Sequence, residues 1–146
     1  MKYNFEKEFL AQNENKSDAT NLREKLSETE IKKLLEEYPK LSDDYIDYLK
    51  EIGSGNFREC QFVVQNYLFN LDDLGLAEHY DELGSGIKFF GDNYCGDFSG
   101  FDFDNNPELV VEFWHEDGTI CETNKTFKEY IREQMLIDDN GQDERE

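Results

Sequence analysis

The sequence predicts an α+β fold: a single twisted antiparallel sheet with helices segregated at its ends and flank. Three observations carry that reading. Two helical apolar repeats run in tandem from Ile31 to Ile52, period-two alternation recurs between Cys60 and Glu122, and a capping box at Thr126 opens one more helix. Helices, then strands, then a helix is the order of a domain whose helices pack against one sheet.

Each element has its own local cause. Residues 3–14 form a short helix with Phe5 and Phe9 one turn apart, and the polar stretch from Asn13 to Thr20 is a loop. Leu22 and Leu26 predict another helical piece. Ile31 lies nine residues after Leu22, half a turn out of phase, so a new helix begins after Ser27. Ser27 and Glu30 supply its capping box. Ile31, Leu34, Leu35 and Tyr38 then share one helical face, and Pro39 ends the run. Ser42 caps the next helix, with Asp43 and Asp44 at its positive end. Tyr45, Tyr48, Leu49 and Ile52 repeat the spacing until Gly53 terminates it.

Beyond Gly53 the period shortens to two. Cys60, Phe62 and Val64 alternate with Glu59 and Gln61, and Tyr67 to Leu71 predicts a further strand. Asp72 to Gly86 is ambiguous and leaves room for a short helix in LAEHYDEL. Ile87 to Phe90 and Phe98 to Phe103 read as strands. Leu109 to Trp114 is nearly all apolar, as in a central strand covered on both faces. Asn105, Asn106 and Pro107 form the turn before it, and Asp117-Gly118 is a hairpin signal leading to Thr119–Glu122. The last helix carries Phe127, Tyr130, Ile131 and Met135. Residues 1–26 are thus a helical extension, 27–137 the domain and 138–146 a disordered acidic tail.

Composition bounds the function. A chain of 146 residues is one domain, and 12 Phe with 8 Tyr bury enough apolar area to fold it. Thirty-five acidic against 15 basic residues give a net charge of −20, which repels nucleic-acid backbones and anionic membranes. Basic proteins or cations are the partners that charge suits. Between Arg58 and Lys125 Lys88 is the only basic residue against fifteen acidic ones, which reads as a one-sign face. No apolar run is long enough to span a membrane, and MKYNFEKEF lacks a signal-peptide core. Cys60, Cys95 and Cys121 are odd in number and widely spaced, so neither a disulfide framework nor metal knuckles are expected. A reduced cytoplasm is the expected compartment.

Ile31 through Gly55, IKKLLEEYPKLSDDYIDYLKEIGSG, is similar to the N-terminal signature of the SUKH superfamily. That group includes Smi/Knr-type fungal cell-wall regulators and many bacterial immunity proteins. Gly91-Asp92, Gly96-Asp97, the FDFD strand and VVEFWHEDG leading to TFKEYI resemble its second half. Leu41-Ser42 stands where the family often has Leu-Pro. The resemblance implies a SUKH-like fold and a function by binding, not catalysis. A bacterial member typically neutralises the catalytic domain, often a nuclease, of a polymorphic toxin. The alternative it implies is a non-enzymatic regulatory scaffold. No cofactor is implied, and a monomer or weak dimer is expected.

Chemistry-bearing patterns lead nowhere else. His115-Glu116-Asp117 precedes Gly118 at a turn, and His79 stands apart. Asp102, Asp104, Asn106 and Glu108 alternate like calcium ligands, but such a loop needs Gly and Glu where Pro107 and Phe113 stand. Alternation of this kind also arises on the solvent face of a strand. The run Gly91–Asp97 has no Lys or Arg to cradle a phosphate, and its glycines permit positive φ in a loop between strands. Cys95 beside Asp97 sits in an acidic setting that blunts a thiol. No catalytic, cofactor or metal site is expected. Asp92, Tyr94, Asp97, Asp102, Asp104, Glu116 and Asp117 are the expected partner-binding residues on an acidic sheet surface.

Overall fold

The computed structural model describes residues 3–14, 17, 23–57, 61–69, 86–93, 97–114 and 119–137. Among them three helices, α1 (Asn4–Asn13), α2 (Glu28–Glu37) and α3 (Asp43–Glu51), precede a sheet. Its strands are β1 (Gly55–Phe57), β2 (Phe62–Phe69), β3 (Ile87–Asp92), β4 (Phe98–Asp102), β5 (Asn106–Trp114) and β6 (Thr119–Thr126). Helix α4 (Phe127–Gln134) follows directly. The six strands lie side by side in chain order, each antiparallel to the next. This is the expected α+β architecture.

Both capping boxes form: the Ser27 hydroxyl accepts the Glu30 N–H, and the Thr126 hydroxyl accepts the Glu129 N–H. The Glu129 carboxylate reaches back to the Thr126 N–H, and those bonds hold its pKa below the usual range. Ser42 accepts the Asp44 N–H at the start of α3. At the other end Gly53 has φ 103° and donates to the Tyr48 carbonyl.

Several boundaries differ from the sequence expectation. Leu26 is not helical. Glu24 instead bridges Ser54 through two backbone bonds of 2.9 and 2.8 Å, possible because Gly53 has no side chain to strike the Glu24 backbone. Residues 62–69 form one strand, not the ends of two, and Phe62, Val63 and Val64 are all buried because both faces are covered there. β4 stops at Asp102, and the turn moves to 103–105, because the Asp102 carboxylate accepts the N–H groups of Asp104 and Asn105. Gly91 lies inside β3, not in a loop at positive φ. A side chain there would strike the Val63 carbonyl at 2.0 Å, so close strand approach explains the glycine. Cys60, the LAEHYDEL segment, the Asp117-Gly118 turn and the 138–146 tail lie outside the described residues.

The main core lies between the helices and one face of the sheet. Phe127, the first residue of α4, packs at 5.3 and 5.5 Å from Tyr45 and Tyr48 of α3 and at 5.0 and 6.2 Å from Phe90 and Phe101 of the sheet. Most of these contacts are edge-to-face, the arrangement ring quadrupoles favour. Tyr45 donates to the Gln65 carbonyl at 2.6 Å, and Tyr3 to the Asp44 carbonyl at 2.7 Å.

Tyr3, Phe9 and Leu10 bring α1 into this same core. Polar contacts fix its seat. The Tyr3 N–H donates to Glu51, Arg23 grips Glu14 with two nitrogens at 2.7 and 2.9 Å, and fully buried Glu6 meets Lys128 of α4 at 3.1 Å. The other Glu6 oxygen is buried without a partner. Lys128→Met therefore leaves an uncompensated buried carboxylate and should cost about 2–3 kcal/mol in urea unfolding. The double variant Glu6→Met/Lys128→Met should return to within about 1 kcal/mol of the native chain. A double variant as unstable as the single one would refute the buried-pair account.

Burial raises the hydroxyl pKa of Tyr3, Tyr45, Tyr48 and Tyr130 well above the ordinary 10.0. Their stabilisation is complete below pH 10.0, where both states are protonated. It is lost as pH rises further, because only the unfolded chain then ionises freely. Absorbance of phenolate near 295 nm should rise in two phases, the second coinciding with loss of circular dichroism.

Candidate functional site

Residues paired across an antiparallel ladder point to the same face. Phe69 opposite Phe89, Phe98 opposite Phe113, and Phe113 opposite Ile120 therefore share the face turned away from the main core. They form a second aromatic cluster. Phe69, Phe89 and Phe98 lie 5.6 to 5.9 Å apart, and Phe98 stacks on Phe113 at 6.1 Å with planes 15° apart. Among the described residues the cluster is built from strand residues alone. Tyr67 extends it at 6.1 Å from Phe69 and is 53% exposed.

The same register places the carboxylates. Asp92 pairs with Phe98, and Asp102 pairs with Ile87, so both stand on the aromatic face, at opposite ends of the β3–β4 ladder. Asp97 belongs to the Asp92 end, where its carbonyl accepts the Asn93 N–H at 3.4 Å. Asp104 belongs to the Asp102 end, in the adjoining turn. The four described candidates thus form two pairs flanking an apolar centre, not one cluster. Tyr94, Glu116, Asp117, His79, His115 and Cys95 lie outside the described residues.

Two irregularities shape the Asp102 end. The β4–β5 register shifts between Phe101 and Asp102, and the β5–β6 register shifts between Leu109 and Val111. Adjacent ladders that slip at the same level splay the strands. The result is a cavity of about 230 Å³. Its lining combines the carboxylates Asp102 and Glu122 and the carboxamides Asn105, Asn106 and Asn124 with Leu109 and valine walls. Asn124 has φ 59°, a conformation Asn tolerates better than most residues, and Thr123 donates to the Val110 carbonyl at 2.7 Å beside it. The sequence reading missed Glu122 and Asn124 as site residues. The sequence offers only an Asn two residues beyond the expected strand Thr119–Glu122; its positive φ and its place inside β6 belong to the fold.

The alternating oxygens of residues 102–108 are accounted for differently than on a strand face. Asp102 folds its carboxylate onto the turn, taking backbone donors at 3.1 and 3.2 Å and the Asn105 side-chain nitrogen at 2.7 Å. Among the described residues no group of three or more His, Cys, Asp or Glu is placed to hold a metal ion. On the helix side, Ser99 bonds the Tyr130 hydroxyl at 2.6 Å, and Tyr130 donates to Glu112 at 2.6 Å. Ser99 and Tyr130 are buried, so this network ties α4 to β4 and β5.

A family model described as SMI1/KNR4 family (SUKH-1) matches residues 25–133, more than half of the chain. No curated protein and no solved structure matches it. No helix among the described residues is long and apolar enough to cross a membrane.

The turn geometry makes Asp102 separable into a structural and an electrostatic part. Asp102→Ala removes the acceptor of two N–H groups and should cost about 1–2 kcal/mol. Asp102→Asn keeps an acceptor oxygen and should stay within about 0.5 kcal/mol of the native chain. Equal losses in chemical unfolding would show that the charge, not the oxygen, holds the turn.

Proposed function

The chain belongs to the SMI1/KNR4 family (SUKH-1), and on that premise we propose that it is an immunity protein of the bacterial cytoplasm. In this reading it binds the catalytic domain of a cognate toxin and neutralises it by occupation, with no chemistry of its own. The observation that carries the reading is the distribution of charge. The stretch between Arg58 and Lys125 spans most of the sheet and holds fifteen acidic residues against the single Lys88.

A nuclease toxin must hold phosphates and is therefore basic where it acts. A surface of one negative sign suits occupation of such a site. Asp92 and Asp102, standing on either side of an aromatic cluster, fit a division of labour common at interfaces. The carboxylates steer encounter and reject wrong partners, and Tyr67, exposed beside the buried rings of the cluster, is the aromatic side chain open to a partner.

Stopped-flow binding to the toxin domain encoded beside this gene tests the proposal. The association rate should fall about tenfold between about 0.02 and 0.15 M salt, as charge steering is screened. Reversing Asp92 and Asp102 together should slow association more than reversing either one. A neighbouring toxin that neither binds nor is silenced ends the immunity reading. Capture of several unrelated partners instead points to a regulatory scaffold. A rate indifferent to both reversals removes this face as the contact surface.

A further inference from the structure

We propose that the cavity at the Asp102 end of the aromatic face is a receptor for one arginine side chain of the protein partner. The identity of that partner rests on the immunity reading; the cavity's preference for a guanidinium does not. The space of about 230 Å³ is on the scale of a single side chain, not of a helix groove. Asp102, Glu122, Asn105, Asn106 and Asn124 are among its lining residues, and all but the half-buried Asp102 are exposed, so the polar groups form a solvent-accessible rim. A guanidinium presents five N–H donors in a planar fork and suits that array better than the compact, strongly hydrated ammonium of lysine. Leu109 and Val111 offer apolar wall to the methylene stem. Among the described residues no group of three or more His, Cys, Asp or Glu converges here, which leaves a divalent cation short of the charged ligands it takes.

Acceptor capacity is also left over. Asp102 Oδ2 takes one bond, from the Asn105 side chain, and a carboxylate oxygen has room for another. No described residue bonds the Glu122 carboxylate, whereas the nearest cation along β6, Lys125, pairs with Glu133 of α4. The other cation of the acidic stretch, Lys88, pairs in register with Phe101, whose ring is in the main core, and so belongs to the opposite face. With the chain at net charge −20, a cationic side chain is the occupant this site complements.

The test uses the full ¹⁵N-labelled chain titrated with N-acetyl-arginine methylamide and, as neutral isostere, N-acetyl-citrulline methylamide. Arginine should give saturable amide shifts confined to Asn105, Asn106, Val111, Glu122 and Asn124. Citrulline should bind at least about fivefold more weakly, and Asp102→Asn/Glu122→Gln should abolish the difference. Shifts spread over the whole acidic surface, or equal for the two probes, overturn the proposal. With the toxin domain, the same double variant should raise Kd about tenfold or more, chiefly through faster dissociation. A toxin that is bound and silenced equally well by the double variant overturns the cavity and leaves the immunity reading intact. Confined arginine shifts in a chain that ignores its neighbouring toxin have the opposite meaning.

Discussion

The burial of Phe127 at the first turn of α4 is the contact on which the rest of the structure depends. Its ring meets two tyrosines of α3 and two phenylalanines of the sheet, so one side chain closes both layers of the main core. The capping box at Thr126 sets the direction in which α4 leaves β6, and hence where that ring arrives. The next residue, Lys128, reaches Glu6 and ties down α1. A chain segment that precedes the matched family region is thereby built into the same core.

The two faces of the sheet are equipped for different tasks. On the helix side, three large rings carry hydroxyls that find partners, Tyr45 on Gln65, Tyr3 on Asp44 and Tyr130 on Glu112, while the buried Tyr48 hydroxyl has none among the described residues. Those bonds fix one arrangement of helices on strands. The other side gathers phenylalanines between separated carboxylates and opens a cavity where two ladders slip. The larger core lies on the helix side, and a smaller buried cluster lies on the other. If the second face is the contact surface, as proposed, substitutions there would leave the tyrosine layer of the main core untouched.

The helices were legible because their causes are local. Ser27 with Glu30 and Thr126 with Glu129 mark two starts, and Tyr45, Tyr48, Leu49 and Ile52 mark one face, all within a few residues of each other. The sheet was legible in kind and in most of its strands but not in register. Where a strand takes extra residues, as β3 does between Phe89 and Gly91 or β6 between Glu122 and Thr126, alternation no longer tells which side chain faces which way. For that reason Asp102 was recognised as a candidate while its neighbours across the cavity, Glu122 and Asn124, were not. They meet only through pairing between strands. The Glu24–Ser54 bridge was hidden for the same reason, since it joins residues thirty apart.

The strict neighbour-to-neighbour order of the strands has a kinetic consequence. Each ladder joins consecutive segments, so no strand must wait for a distant one to insert beside it. Loop-closure entropy is met in small successive steps, and a meander of this kind has low contact order for a sheet of six strands. The contact of longest sequence separation is instead between the outermost helices, where Glu6 meets Lys128 across almost the whole sequence. On topology alone the sheet is expected to form before α1 joins α4.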